Sequence, residues 1–510
     1  MRRHEPPQEG RNVTVPIADL RSLAVVGLGR SGRAAGLLAR RMLPNAVVVA
    51  IDEKAEAELG PTPAELRAAG AALLLGDRAD LPAGVELLVK SPGVPTSSRV
   101  VAAALERGVP IWSEVEFAAR FLTNRWIAIT GTNGKTTTTE LTGQILRDAG
   151  RPVEVAGNVG RALAGLPGMI APDAVVVAEL SSFQLEHIER FRPDVAVLLN
   201  LTEDHIDRHG SYAGYIDAKL RVFENQTSAD LALVNLDDPD TAGIAAGLPG
   251  HGRRGGFSLG APVVPAALVS GADGSVAQRP EPAAARAASG AAFAVLAGVA
   301  AGTLWLQTGE GRTGLCPVAA LALKGDHNVA NSLAAAAAAA ALGVPAASIA
   351  TTLQTFPGVA HRLQVVGEVG GVIWVNDSKA TNVDAAVKAL TAYFGPVHMI
   401  IGGSLKGASF DPLAAATEGR VKEAILIGAA AAPLREAFER RRAAVGERAT
   451  PFVVLPDLAA AVAHAAAASA PGDVVLLSPA CASFDHYRNF EHRGEHFTEL
   501  VEALRERSAT

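Results

Sequence analysis

The sequence predicts an α/β protein of three domains, Rossmann-like at both ends with a phosphate-loop ATPase-type domain between them. The chain has 510 residues, 49% hydrophobic and 19% charged, which is apolar material for roughly two to four domains. Short apolar runs, turns and helical stretches alternate along most of it, the pattern of parallel sheets covered by helices. Two of the turns are Gly-rich and join a strand to a helix, where backbone N–H groups and a helix N-terminus can face phosphate.

The elements follow in order. Residues 1–21 read as a polar tail. From Ser22 come a strand (Leu23 to Val26), a Gly-rich turn, a helix (Ala34 to Met42) and a strand (Val47 to Ile51), with further runs at Leu87 to Val89 and Ile111 to Trp112, giving a first domain over 22–122. Trp126 opens a second domain, 123–358, with a second Gly-rich turn at Gly131 and strands at 175–180 and 195–200. Its stretch 245–320 is rich in Ala, Gly, Pro and Arg, and fits either peripheral strands or a partly mobile insertion. In the third domain, 359–510, five strand ends alternate with helices after a turn and strand at 356–366. No internal repeat exceeds this shared α/β grammar.

Composition excludes several classes. The 51 Gly and 30 Pro are too few and too aperiodic for a fibrous or largely disordered chain. A net charge of -6 argues against nucleic acid or an anionic membrane as a bulk-charge partner, and leaves local basic sites open. Cys316 and Cys481 make no metal or disulfide pattern, and Arg2, Arg3, His4 and Glu5 precede no apolar run, so a cytoplasmic protein is expected. The longest uncharged run, between His327 and His361, is Ala-rich and ends at Gly343 and Pro345, which predicts a soluble helix without membrane insertion.

Gly27-Leu28-Gly29-Arg30-Ser31-Gly32, with Asp52 at the end of the next strand, is a dinucleotide-type fingerprint. Its glycines admit a diphosphate, and Asp52 can accept from a hydroxyl. Taken alone it favours an NAD enzyme. Gly131-Thr132-Asn133-Gly134-Lys135-Thr136, running on through Thr137, would wrap ATP phosphates, place Lys135 on them and offer Thr136 to Mg²⁺. It departs from the full Walker pattern, which needs Gly at Ile129. One lysine cannot balance a triphosphate, since a charge pair at 4 Å gains only about 4 kcal/mol at an effective dielectric of 20, so a metal and further cations are expected.

Glu179 and His205 lie after apolar strands, where α/β folds place ligands. Each has a plainer reading, an exposed capping carboxylate and a hydrogen-bonded structural histidine. Lys219 reads from spacing alone as a helix-surface lysine. Three polar clusters end strands of the last domain: 376–382, 402–406 and 478–483. Cys481 reads as a small buried hydrophobe rather than a nucleophile. Arg362 could clamp phosphate or form a hinge salt bridge.

Together these motifs resemble the Mur ligase family over about residues 22–497. GTNGKTTTT (131–139) is shared with folylpolyglutamate synthase, while ELSSFQLE (179–186), NLTEDHIDRH (200–209), NDSKATN (376–382) and SPACASFDHYRNFEHRG (478–494) are similar to its D-glutamate-adding branch. The resemblance implies an ATP-dependent amide ligase joining D-glutamate to UDP-N-acetylmuramoyl-L-alanine through an acyl phosphate. The first turn would then hold UDP through Gly27, Gly29, Arg30, Ser31 and Gly32, with Asp52 near the uracil, Lys54 where well-known members have Arg, and Ser91 and Gly93 of KSPGV alongside. Lys135 and Thr136 would serve ATP and Mg²⁺. Glu179 and His205 would coordinate Mg²⁺, and Asn158 would touch substrate or metal-bound water. Lys219 matches a lysine that the family carbamoylates with CO₂, giving a carboxylate for a second Mg²⁺. Asn328, Arg362 and Asp377 would grip ATP. Lys379, Thr381, Lys406, Ser483, Phe484 and Phe490 would surround D-glutamate. The expected partners are therefore small molecules, and the expected state a monomer. Three rivals remain: a related ligase for another amino acid, an NAD oxidoreductase supported only by residues 22–52, and a non-catalytic nucleotide-binding scaffold.

Overall fold

The computed structural model describes residues 16–158, 160–260, 293–390, 395–405 and 409–508. The chain divides into two compact units, Met1–Phe356 and Pro357–Thr510. The first unit holds two sheets. One comprises β1 (Ser22–Val26), β2 (Val47–Asp52), β3 (Ala72–Leu75), β4 (Leu87–Lys90) and β5 (Ile111–Ser113), all parallel, in the order β3-β2-β1-β4-β5. The chain moves outward from β1 to β3 and then returns to β4. Loops after β1 and β4 therefore meet at the switch point, where open α/β sheets bind ligands.

The second sheet comprises β6 (Trp126–Thr130), β7 (Val153–Gly157), β8 (Val175–Glu179), β9 (Val195–Leu198), β10 (Leu231–Asn235), β11 (Arg253–Ser258), β12 (Val295–Ala300), β13 (Thr303–Thr308) and β14 (Gly311–Pro317), in the order β14-β13-β12-β11-β10-β9-β6-β8-β7. β6, β8 and β9 are buried from end to end, as continuous apolar runs must be when helices cover both faces. The described part of 245–320 supplies peripheral strands, the last two antiparallel; residues 279–292 lie outside the described residues.

One apolar cluster joins the two sheets, with Trp112, Val115 and Phe117 sharing it with Leu163, Leu166 and Phe191. Two carboxylates on the short helix Glu114–Ala119 reinforce the seam: Glu114 accepts from the Ala164 N–H at 2.6 Å, and Glu116 accepts from the N–H groups of Glu189, Arg190 and Phe191 at 2.8 to 3.0 Å. The Ala-rich run is the helix Asp326–Ala341, buried against the helix Lys135–Asp148. Its small side chains let the two axes approach closely. Among the described residues no helix is long and apolar enough to cross a membrane.

The second unit has β15 (Gln364–Val369), β16 (Val372–Asn376), β17 (Val397–Gly402), β18 (Val421–Ile427), β19 (Phe452–Val454) and β20 (Val474–Leu477), in the order β15-β16-β20-β17-β18-β19 and parallel except for β15. The three predicted polar clusters follow β16, β17 and β20. They therefore share one edge of one sheet.

Candidate active site

The first Gly-rich turn is braced from both neighbouring strands. Leu28 N–H donates to the Asp52 carboxylate at 2.6 Å, Lys54 N–H donates to its other oxygen at 2.9 Å, and Ser91 Oγ donates to the Gly27 carbonyl at 2.6 Å. The helix starts at Arg30, four residues before the expected Ala34, because Gly29 caps it and Gly32 continues it. Any Cβ on Gly32 would overlap the Gly27 carbonyl, so only glycine lets the helix begin this close to the turn. Arg30 is exposed and donates to the Asn158 carbonyl at 2.7 Å. Ser31 is half-buried, while Lys54 and Gly93 are exposed.

The second turn is held differently. Gly134, at φ +81, caps the helix Lys135–Asp148 in a conformation that a side chain would strain. Asn133 and Asn200 exchange two hydrogen bonds, Asn133 N–H to Asn200 Oδ1 at 2.8 Å and Asn200 Nδ2 to Asn133 O at 3.0 Å. Thr132 Oγ1 lies 2.9 Å from Tyr215 Oη and 3.2 Å from the Thr202 carbonyl. Lys135 Nζ donates to the carbonyls of Gly131 and Thr132 at 2.9 and 2.8 Å. Thr136 is buried and Thr137 half-buried just inside the helix. Asn328 accepts from Asn331 at 3.2 Å, and Asn331 accepts from Thr138 at 3.2 Å, so the Ala-rich helix is tied to the phosphate-loop helix.

Lys219 is no surface lysine. It is 2% exposed, donates to the same Gly131 carbonyl at 2.9 Å, and lies 4.6 Å from the centre of the Tyr215 ring. Burial drives its amine well below the usual lysine range, and the Lys135 charge adds to this. Glu179 is likewise no exposed cap. It is 2% exposed, and one oxygen accepts from Asn158 Nδ2 at 2.9 Å. The other oxygen, also buried, has no hydrogen-bond partner among the described residues.

Such an oxygen costs about 1–3 kcal/mol unless something satisfies it. A hard divalent cation would, so this oxygen fits Mg²⁺. His205 stands at φ +53 in the left-handed region, half-exposed, with its ring 4.8 Å from that of Phe183. A non-glycine residue there stores roughly 1–3 kcal/mol of strain, which is common at functional loops.

In the second unit Asp377 is buried, accepting from Ser478 Oγ at 2.8 Å and Leu363 N–H at 3.2 Å. Burial pushes its carboxyl up to about 6, against the pull of those bonds and of the Arg362 charge. Lys379 and Thr381 are half-buried in the turn after β16; Ser483 is buried, Phe484 is 72% exposed, and Phe490 is half-buried with its carbonyl accepting from Ser378 Oγ at 2.8 Å. Cys481 is buried, as its plain reading expected. Lys406 lies outside the described residues.

The residue that organises this edge was unassigned in the sequence reading. Arg493, 1% exposed, donates to Ser378 Oγ and O at 2.9 Å, to Cys481 and Ala482 carbonyls at 3.2 Å and to the Gly402 carbonyl at 3.3 Å. One guanidinium thus fastens all three strand-end loops. Burial pulls it down to about 10. It borders a cleft of about 410 Å³ with Gly403, Gly428, Asp485 and Tyr487. Asn200, Tyr215 and Asn331 were also unassigned. Asn200 and Arg493 stood inside the quoted motifs, Tyr215 is one helical turn before Lys219, and Asn331 is one turn after Asn328.

The central turn and its buried neighbours define a class: an enzyme that handles nucleotide phosphates at the carboxyl edge of a parallel sheet. Residues 129–254 match the family profile for the Mur ligase middle domain, and residues 361–481 that for the Mur ligase glutamate ligase domain. UDP-N-acetylmuramoylalanine–D-glutamate ligase of Pelotomaculum thermopropionicum is 39% identical over 95% of this chain and 98% of its own length. The ligase of the same name from Anaeromyxobacter dehalogenans is 43% identical over 94% and 97%. The solved UDP-N-acetylmuramate-alanine ligase of Thermotoga maritima shares the fold, with a TM-score of 0.51 at 18% identity, covering 94% of this chain and 99% of that one. The chain belongs to the Mur ligase family and is an ATP-dependent ligase.

Proposed function

We propose that this enzyme joins the amine of D-glutamate to the L-alanyl carboxylate of UDP-N-acetylmuramoyl-L-alanine, with domains at 22–122, 123–358 and 359–510. The single observation that carries the chemistry is the burial of Lys219 and Glu179 around one phosphate loop: an amine bonded to the Gly131 carbonyl and held well below the usual lysine range by burial, and a carboxylate with one oxygen that has no hydrogen-bond partner among the described residues. The substrates follow from the relatives' names and from the branch-specific motifs.

ATP phosphates would lie against the Gly131–Thr136 turn, where Lys135 exchanges its bonds to the loop carbonyls for phosphate oxygens. Asn328, Arg362 and Asp377 would hold the rest of the nucleotide. The L-alanyl carboxylate attacks the γ-phosphorus, ADP leaves, and the amine of D-glutamate then attacks the acyl carbon. Phosphate departs carrying one oxygen of the original carboxylate. Mg²⁺, bound by Thr136, Glu179 and His205 and at a second site through Lys219, would neutralise charge on the transferring phosphoryl group.

For that second site the Lys219 amine, in its deprotonated form, would add to CO₂ and release one proton, which would turn a lysine into an oxygen ligand. Arg30, Ser31, Asp52, Lys54, Ser91 and Gly93 would hold the UDP end, Asn158 would contact the substrate near Glu179, and Lys379, Thr381, Lys406, Ser483, Phe484 and Phe490 would receive D-glutamate. A cytoplasmic monomer is part of the same reading. Phosphate release from ATP with UDP-N-acetylmuramoyl-L-alanine tests it. Release requires D-Glu and does not respond to L-Glu, L-Ala, L-Lys or diaminopimelate; release driven by any of those four instead would overturn the assignment.

A further inference from the structure

Arg208, in the motif 200–209, is left without a role by the chemistry above, yet it spans the two sheets of the first unit. Its guanidinium carbon lies 3.9 Å from the centre of the Phe183 ring. That ring also stacks on His209 at 5.2 Å and 11° and leans on His205 at 4.8 Å. From this platform Arg208 donates to the carbonyls of Pro92 and Val94 at 2.7 and 2.9 Å, which bracket the Ser91–Gly93 loop after β4.

The first sheet meets it from the other side. Lys90, 1% exposed, donates to the same Val94 carbonyl at 3.0 Å and to Glu186 at 3.4 Å. Glu186 in turn lies 3.6 Å from His209 Nδ1, and His209 Nε2 lies 2.9 Å from Ser182 Oγ. Pro92 has no N–H, so at that position the loop is held through its carbonyl. The loop then sets the first Gly-rich turn: Ser91 Oγ donates to the Gly27 carbonyl at 2.6 Å, and Val94 packs where a Cβ on Gly27 would lie.

We propose that Arg208 is a positioning residue that fixes the 91–94 loop, and through it the Gly27–Gly32 turn, and so sets affinity for the UDP-bearing substrate rather than the rate of phosphoryl transfer. Its Nε is buried with no hydrogen-bond partner among the described residues, and the two bonds it makes to the loop go to neutral carbonyls. Its work is therefore geometric: a flat head clamped on a ring with two donors aimed at one loop. Lysine carries the charge and could reach both carbonyls, since one nitrogen, Nη2, makes both bonds, but it cannot stack as a plane on the Phe183 ring. The proposal rests on the substrate reading given above.

The test is calorimetric binding of UDP-N-acetylmuramoyl-L-alanine to the full-length enzyme, without ATP or D-glutamate, followed by steady-state kinetics. Arg208→Ala weakens that binding, and raises the KM for the UDP substrate, by about tenfold, while the KM for ATP and kcat stay within about threefold. Arg208→Lys recovers only part of the affinity. Phe183→Leu, which removes the platform and leaves the arginine, reproduces part of the loss and serves as the second test where Arg208→Ala does not fold. Unchanged binding of the UDP substrate in these variants, or an equal rise in both KM values, overturns the positioning role. A wild-type enzyme that binds ATP but not the UDP substrate overturns the substrate reading beneath it, and the proposal with it.

Discussion

Two Gly-rich turns in one chain join a strand to a helix in much the same way, yet their surroundings differ in kind. Around Gly27–Gly32 the polar groups are matched: Asp52 holds two N–H groups, Ser91 holds a carbonyl, and the cation that remains, Arg30, is exposed. Around Gly131–Thr136 the balance differs. Two lysines donate to one carbonyl, and one buried oxygen of Glu179 has no hydrogen-bond partner among the described residues. A matched turn can grip a diphosphate without changing. A buried carboxylate oxygen left without a partner, as in Glu179, responds most strongly when a counterpart arrives.

The sharpest way to break this contrast is at Lys219. Lys219→Ala should lower kcat about a thousandfold in the phosphate-release assay, with partial recovery by short carboxylic acids that replace the missing ligand. Full activity in that variant removes the carbamate role. Next, Lys135→Ala should cost about a hundredfold or more in kcat and leave calorimetric binding of the UDP substrate unchanged. Arg30→Ala should do the opposite, raising the KM for the UDP substrate about tenfold with kcat nearly intact. A kcat defect there would erase the distinction between gripping and reacting.

The smallest effect lies at the seam between the sheets. Burial pushes the Glu114 carboxyl from its ordinary 4.5 up to about 7, and its second oxygen has no hydrogen bond among the described residues. The folded state holds this proton more tightly than the unfolded chain does. The stabilisation is therefore complete below about pH 4.5 and lost as pH rises through about 7, so stability falls with rising pH in that window. Between pH 6 and pH 8 this single group should remove about 1 kcal/mol, and Glu114→Gln should flatten that part of a urea-denaturation series by the same amount. An unchanged slope would place the titrating group elsewhere.

Much of this was legible in the sequence because it is local. Both turns, the strand ends carrying Glu179 and the 376–382 and 478–483 clusters, and the Ala-rich helix are set by neighbours a few residues apart. What sequence could not show is which polar groups become buried and against what. Lys219 meets Gly131 across 88 positions, and Arg493 reaches Ser378 across 115. From spacing alone Lys219 read as a surface lysine, and only the family resemblance reversed that. Arg493 went unassigned even inside a quoted motif, since nothing local distinguishes a buried arginine from an exposed one. The edge strands after β10 were left open between strands and insertion because Gly- and Ala-rich text carries little period-two signal.

The proposed reaction activates the L-alanyl carboxylate as an acyl phosphate at the central turn. The most direct measurement uses UDP-N-acetylmuramoyl-L-alanine labelled with ¹⁸O in that carboxylate, turned over with ATP and D-glutamate, with the released phosphate read by mass spectrometry. One ¹⁸O is expected in each phosphate released. Phosphate without label, formed alongside the amide product, would contradict it.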